Sequence, residues 1–188
     1  MKFPAHLPIA EGSWRFVQLT GRDCERLQNL LVRCSDFNQL INGEPPGEHE
    51  AEETLMDLPP GKTSADKIVL GIEDQTGALV GLIDLVKDFP EQDKWFIGLL
   101  LLAPAERGKG SGKLVMKALE DWACEGGARK LGLGVLEHNL EGHAFWLRMG
   151  FTELLRRPPR KFGQREGVVI AMEKQLIAND ERITESRD

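Results

Sequence analysis

Residues 95–112 have the sequence Trp95-Phe-Ile-Gly-Leu-Leu-Leu-Leu102 followed by Ala103-Pro-Ala-Glu-Arg-Gly-Lys-Gly-Ser-Gly112, and an amphipathic helical run then extends to Gly126-Gly127. The unbroken run of uncharged, largely apolar residues predicts a strand that is buried on both faces and therefore central in a sheet. The glycines after it expose backbone N–H groups where the helix begins. A buried strand, a glycine turn and a helix in this order are typical of an anion-binding site.

The composition is that of one globular domain with a sizeable core. The chain has 188 residues, of which 41% are hydrophobic and 29% charged. We expect a single domain over residues 12–176 and a polar C-terminal tail over residues 177–188. The formal charge of −6 argues against nucleic-acid binding, which usually needs a basic face. No apolar run is long enough to span a bilayer, so we predict no membrane association and a cytoplasmic location.

The three cysteines give no sign of a metal site or of a disulfide framework. Cys24, Cys34 and Cys124 are odd in number and do not have the spacing of metal ligands. We therefore expect free, buried thiols and no bound metal.

Apolar periodicity and turn residues predict the remaining elements. Alternating apolar residues indicate strands, and apolar residues at i, i+3, i+4 and i+7 indicate helices. The strand at 129–137 has a thin face with Gly132 and Gly134, which lets a ligand approach closely. In chain order the other elements are a strand at 13–19, a helix at 22–34, a short acidic helix within 42–61, a hairpin of strands 67–73 and 78–86, a helix from Asn139 to Met149, and strands at 151–155 and 166–172 on either side of the basic loop 156–165.

Spacing excludes two well-known phosphate loops. A Walker loop, G-x-x-x-x-G-K-[ST], ending at Gly112-Lys113 would need glycine in place of Arg107 and Ser or Thr in place of Leu114. A dinucleotide turn, G-x-G-x-x-G, would start at Gly108 or Gly110, and neither start has the third glycine. The turn therefore belongs to neither class.

Two motifs resemble those of the GNAT acetyltransferase superfamily. Arg107-Gly-Lys-Gly-Ser-Gly112 is similar to its [QR]-x-x-G-x-[GA] turn, and Asn139, which stands eleven residues before Gly150-Phe151, is similar to its N-x(10)-GF signature. With the order of the elements, the resemblance covers roughly residues 12–176. It implies a single α/β domain with a central six- to seven-stranded, mixed and mostly antiparallel sheet, about four flanking helices, and a splay between the strands at 95–102 and 129–137.

The resemblance implies acetyl-CoA as the cosubstrate. The amides of the turn would hold the pyrophosphate of coenzyme A, and pantetheine would lie in the splay and pair with the strand backbone. The residues themselves agree with this, because successive glycine N–H groups at the positive end of a helix favour a diphosphate. The predicted coenzyme-binding residues are Leu100, Leu102, Arg107, Gly108, Lys109, Gly110, Ser111, Gly112, Lys113, Asn139 and Trp146.

The sequence offers several residues for proton transfer. An alkylammonium has a pKa of about 10.4 and must lose a proton before it attacks a thioester. Many superfamily members protonate the leaving thiolate with a tyrosine seven residues after the Asn; Trp146 occupies that position here, and the chain contains no tyrosine. Our first candidates are Glu137 and His138, at the end of the thin strand, followed by His143, Asp84 and Asp93.

Two charged segments bear on the acceptor. The acidic segment 44–53 suggests a cationic amine, and the basic loop 156–165 suggests a carboxylate, a phosphate or the 3′-phosphate of the cofactor. We therefore predict an N-acetyltransferase that acts on a primary amine of a small molecule by direct attack, as a monomer or homodimer. Two alternatives stay open: a non-catalytic acyl-CoA-binding or sensing module, and an acetyltransferase that acts on a protein amine.

Overall fold

The computed structural model describes residues 6–9 and 12–176, so the polar tail predicted for 177–188 lies outside the described residues. Within this part of the chain, no helix is long and apolar enough to cross a membrane. The helices are α1 (Cys24–Arg33), α2 (Ser35–Asn42), α3 (Glu50–Met56), α4 (Ser111–Glu125) and α5 (Leu140–Arg148). The strands are β1 (His6–Ile9), β2 (Gly12–Gln18), β3 (Lys67–Glu73), β4 (Leu79–Val86), β5 (Lys94–Leu102), β6 (Lys130–Leu136), β7 (Thr152–Arg156), β8 (Arg160–Phe162), β9 (Arg165–Gly167) and β10 (Val169–Gln175).

One sheet organises the molecule. Its strands are ordered β1-β2-β3-β4-β5-β6-β10-β7, and β8 and β9 form a separate hairpin. Every neighbouring pair is antiparallel except β5 and β6, which are parallel. The predicted α/β class with a mixed, mostly antiparallel sheet is confirmed. The sheet has one strand more than the six to seven expected, because β1, which precedes the predicted start of the domain, pairs with the beginning of β2.

The two faces of the sheet bury separate cores, because successive residues of a strand point to opposite sides. On one face, α4 packs through Val115 and Leu119 among the residues of the larger core. On the other face, α1 packs through Leu27 and Leu30. On β4, for example, Leu82 packs in the core under α1, and the next residue, Ile83, packs in the core under α4. The helices α1 to α3 and the helices α4 and α5 therefore enclose the sheet from opposite sides.

The predicted splay of the sheet is confirmed. β5 pairs with β6 only from Lys94, opposite Lys130, to Ile97, opposite Leu133. At the next residue, Gly98, the strand bulges away from β4, because Leu99 and Ile97 are opposite consecutive residues of that strand. Beyond this bulge the two parallel strands separate and leave a gap in the centre of the sheet.

Besides β1, the elements α2 and β8 were not predicted from the sequence. The helix expected at 22–34 ends near Cys34 as predicted, but the chain continues as α2. The spacing of Phe37, Leu40 and Ile41 in α2 is typical of a helix. The basic loop 156–165 is not irregular throughout, because it contains β8 and the start of β9. Gly163, with a φ of +54°, allows the tight turn between them.

Candidate functional site

The gap between β5 and β6 opens into a cleft of about 2210 Å³. Pockets for one small ligand usually measure about 300–1,000 Å³, so this cleft has room for a large coenzyme and a second substrate. It is lined by the glycine turn, by residues 96–102 of β5, by residues 132–136 of β6, and by parts of α2, α3, α5 and the β8 region.

The glycine turn forms an open cradle at the start of α4. Gly108 and Gly110 adopt φ values of +74° and +81°, and a Cβ at either position would meet no atom within 4 Å. Gly110 is the N-cap of α4, and as a glycine it provides no capping side chain. The first N–H groups of a helix have no partner inside it. Here Lys113 N–H donates to Gly110 O at 3.1 Å, so the N–H groups of Ser111 and Gly112 are the helix donors available to a ligand. The cradle therefore fits a diphosphate in shape and in charge.

The backbone of β5 presents further hydrogen-bonding groups to the gap. Ala103 N–H donates to Val80 O at 2.8 Å, which marks Leu102 as a residue of a non-hydrogen-bonded pair with β4. Hydrogen-bonded and non-hydrogen-bonded pairs alternate along two antiparallel strands, so Leu100 also belongs to a non-hydrogen-bonded pair with β4. The N–H and C=O groups of both leucines therefore point away from β4, towards the splay, although Leu102 O already accepts a hydrogen bond from Arg107 Nε at 2.8 Å.

Arg107 ties the glycine turn to α2. Its two terminal nitrogens donate to the carboxylate of Asp36, and Nη2 of Arg107 lies 3.3 Å from Asp36 Oδ1. These hydrogen bonds lower the pKa of Asp36 below its ordinary value. Burial alone would lower the pKa of Arg107, but the pairing with Asp36 outweighs it and raises that pKa. Lys109 is 3.6 Å from Glu106, whereas Lys113 lines the cleft without an ion pair to any described residue.

Asp36→Asn is expected to weaken coenzyme A binding by roughly 5- to 10-fold, because Arg107 loses a bidentate, charge-assisted partner and no longer fixes the turn. Calorimetric titration measures the affinity, and Asp36→Glu is expected to restore part of it. Asp121→Asn, which breaks the exposed pair with Lys117 on α4, is the control and should leave the affinity unchanged. Equal affinities of wild type and Asp36→Asn would show that the ion pair does not position the turn.

Asn139 and Trp146 fix the start and the packing of α5. Asn139 Oδ1 accepts a hydrogen bond from Gly142 N–H at 3.0 Å and so caps the helix. Trp146 is 9% exposed and packs edge to face on Phe145 and Phe151, with ring centroids 5.0 and 5.2 Å apart. Trp146 also lines the cleft. Its indole N–H does not ionise in the relevant range, so it forms a wall rather than an acid.

Gly142→Ala is expected to leave the free energy of unfolding nearly unchanged, because the gain of up to about 1 kcal/mol that alanine usually brings over glycine in a helix is offset by loss of the N-cap. A Cβ at this position would lie 2.5 Å from Asn139 Nδ2, so the capping side chain would have to leave. Denaturant unfolding measures the change. Gly21→Ala is the control, because a Cβ at position 21 meets no atom within 4 Å. A stabilisation by about 1 kcal/mol in Gly142→Ala would contradict the assigned cap, because it would show that the new methyl group leaves the hydrogen bond of Asn139 intact.

The two first candidates for proton transfer do not line the cleft. Glu137 is half exposed and pairs with Arg156, while His138 Nε2 lies 2.9 Å from Leu40 O. Both line a separate, smaller recess. Of the remaining candidates, His143 Nε2 is 2.8 Å from Glu153 Oε1, and the carbonyl of Asp93 accepts from the N–H groups of 129 and 130. A catalytic role for these residues stays a prediction, without support from their position.

Asp84 is the candidate that the structure places in the cleft. It lies opposite Leu99 on β5, and a Cβ at Gly98 would come within 3.0 Å of its Oδ2, so the bulge leaves room for the carboxylate. Lys67 Nζ is 3.0 Å from both carboxylate oxygens, and it also donates to Asp57 O at 2.7 Å. The side chain of Asp84 is only 14% exposed. Burial raises its pKa despite the nearby ammonium, as expected of a general base in a sheltered site.

The fold and the cleft agree with a comparison of the sequence to known families. The sequence model of the Acetyltransferase (GNAT) family matches residues 27–151. The chain belongs to this family. The uncharacterized N-acetyltransferase YdgE of Bacillus subtilis (strain 168) is 32% identical over an alignment of 139 residues, and the match covers 71% of this chain and 88% of that protein. This GNAT protein is therefore an acyltransferase, and its cosubstrate is acetyl-CoA.

Solved structures have the same fold. An acetyltransferase from Thermus thermophilus superimposes with a TM-score of 0.71 at 20% identity, over 87% of this chain and 97% of that one. Spermidine N-acetyltransferase from Vibrio cholerae, in complex with CoA and spermine, gives a TM-score of 0.67 at 19% identity, over 87% and 95% of the two chains. At these identities the likeness concerns the architecture alone.

Proposed function

We propose that this GNAT enzyme transfers the acetyl group of acetyl-CoA to a primary amine of a small molecule. The observation that supports it best is the sheltered carboxylate of Asp84 at the bulge of the splayed strand, in the same cleft as the glycine turn. A base in this place can take a proton from an amine that enters from the α3 side of the sheet.

We call the part of the cleft on the α1 to α3 face of the sheet its acceptor side. Several contacts close this side, which favours a small acceptor. The C-terminal half of α2 is tied to the end of β6 through Leu40 O and His138. The tip of the β8–β9 hairpin is tied to the end of α2, since Gln164 N–H donates to Asn42 O at 2.7 Å and Gln164 Nε2 to Glu44 at 3.1 Å. A folded protein substrate would have to separate these contacts, whereas a small amine would not.

Coenzyme binding is divided between the turn and the strand. The N–H groups at the start of α4 would hold the diphosphate, and Lys113 at the rim would add charge. The backbone groups of Leu100 and Leu102 that face the splay would pair with the amides of pantetheine. Acetyl-CoA supplies a thioester carbonyl carbon as the electrophile and a thiolate as the leaving group.

Asp84 would accept the first proton that the acceptor loses. The acceptor arrives as an ammonium, and transfer of one proton to the carboxylate gives the neutral amine that attacks. The nitrogen loses a second proton as the amide forms. With no tyrosine in the chain, this second proton is the one available to the departing sulfur, and the proton on Asp84 returns to solvent.

A second candidate function is a module that binds acyl-CoA without turnover. It is favoured by Trp146, which stands in the place of the usual catalytic tyrosine. Release of free thiol from acetyl-CoA over a panel of primary amines and one folded protein separates the possibilities. Rapid release with a small amine supports the proposal. Tight coenzyme binding without release on any amine would favour the binding module, and release with the protein alone would favour a protein acceptor. The predicted cytoplasmic location and monomeric or homodimeric state stay predictions.

A further inference from the structure

The acceptor side of the cleft has two walls of opposite charge. Among its lining residues, Glu53, Asp57 and Asp84 lie on or directly after α3 and on β4, on one side of the splay. Arg157 and Arg160 lie on the other side, after the edge strand β7 and in the β8–β9 hairpin. A ligand that bridges the splay would therefore meet carboxylates at one end and guanidinium groups at the other.

The two arginines are held in place but have no anionic partner among the described residues. Arg157 N–H donates to Val169 O at 2.9 Å, which fixes its backbone beside β10. The guanidinium of Arg160 lies 4.6 Å from the ring centre of Phe162, which also lines the cleft. Neither side chain forms an ion pair or a hydrogen bond with a described residue, whereas the adjacent Arg156 pairs with Glu137 and Glu153. The charge of Arg157 and Arg160 is thus available to a ligand.

The β8–β9 hairpin lies on the face of the sheet opposite the start of α4. The hairpin tip is bound to the end of α2 through Gln164, and α2 covers the face of the sheet opposite α4. The diphosphate cradle, in contrast, is the start of α4. An anion held at the hairpin would therefore lie on the side from which the acceptor approaches Asp84.

We propose that Arg157 and Arg160 form a subsite for an anionic group of the acceptor, so that the substrate is a small primary amine with a distal carboxylate, phosphate or phosphonate. This inference rests on the proposed transfer to a small amine. Guanidinium groups bind such anions through paired, charge-assisted hydrogen bonds. A polyamine would instead bring a second cation against two guanidinium groups, which disfavours it. The anion thereby orients the amino group towards Asp84.

Three acceptors with the same six-carbon chain test the subsite: 6-aminohexanoate, hexylamine and 1,6-diaminohexane, with shorter homologues to vary the spacing. We expect the amino acid to have the highest kcat/KM. In Arg157→Gln/Arg160→Gln, kcat/KM for the amino acid should fall by roughly 30-fold or more, as for loss of charged hydrogen bonds. The value for hexylamine should change little. Arg156→Gln is the matched control, because it removes the same charge from a residue that does not line the cleft.

Several outcomes would overturn the inference while leaving the proposed function intact. One is a higher kcat/KM for the diamine or the alkylamine than for the amino acid, with no change of these values in the double variant. Another is a weaker affinity of the double variant for coenzyme A, which would assign the arginines to its 3′-phosphate. If no amine is turned over, the proposed function itself fails. Calorimetry of 6-aminohexanoate with the coenzyme-saturated protein then still tests the subsite, since equal binding to wild type and double variant would exclude it.

Discussion

Gly110→Glu is expected to lower the affinity for coenzyme A by about 100-fold or more while the protein stays folded. Gly110 is the N-cap of α4, and a Cβ there meets no atom within 4 Å, so the fold has room for the new side chain. The added carboxylate would occupy the space of the diphosphate and would use the same N–H donors. A negative charge at the start of a helix is otherwise favourable, so stability should suffer only from the φ of +81°.

Two controls separate charge from backbone strain in this experiment. Gly77→Glu introduces the same residue at an equally positive φ of +82° and in equally open space, but in the turn before β4. It should cause a similar loss of stability and no loss of coenzyme affinity. Gly110→Ala keeps the strain without the charge and should retain most of the affinity. Unchanged binding by Gly110→Glu in a calorimetric titration would exclude the turn as the diphosphate site.

The glycine turn could be predicted because its requirements are local. A buried strand, positive φ values and the start of a helix follow one another within residues 95–126, and each depends on neighbouring residues. The splay could be inferred only through the family resemblance. The sequence contains Gly98 and the thin face of β6, but whether two strands separate depends on how they pair in space.

Asp84 illustrates why the burial of a side chain is hard to predict from sequence. On an antiparallel strand, a single carboxylate among apolar residues is usually solvated, which is why the sequence favours Glu137 and His138 over Asp84. Its burial results from the bulge at Gly98 and from Lys67 on the neighbouring strand, two features set by register rather than by sequence distance. The contacts of His138 with α2 were equally invisible, because α2 itself was not predicted.

The link between Asp36 and Arg107 joins the two halves of the cleft. α2 contacts Arg107 of the glycine turn through Asp36 near its first residue, and it contacts His138 and the β8–β9 hairpin at its last residues. A movement of this helix would therefore displace the glycine turn and the hairpin together. Because α2 has only 8 residues, the glycine turn and the hairpin are linked through a single short helix.

Asp84→Asn is expected to lower kcat by about 100- to 1,000-fold, the usual contribution of a general base, with the affinity for coenzyme A unchanged. The amide keeps the size of the side chain and still offers an oxygen to Lys67. Because burial raises the pKa of Asp84, activity of the wild type should rise with pH above the range in which an ordinary aspartate titrates. The variant should lose this rise, which a merely structural role of Asp84 would leave in place.

Matched substitutions decide between the candidate bases. Asp57→Asn removes the same charge from another lining residue, and its main-chain oxygen continues to accept from Lys67, so it should reduce kcat much less. Glu137→Gln and His138→Gln should have small effects, because both residues lie outside the cleft and are engaged elsewhere. A hundredfold loss of kcat in either of these variants, together with an unchanged pH profile in Asp84→Asn, would identify Glu137 or His138 as the base. That result would require the acceptor to approach from the smaller recess rather than across the splay.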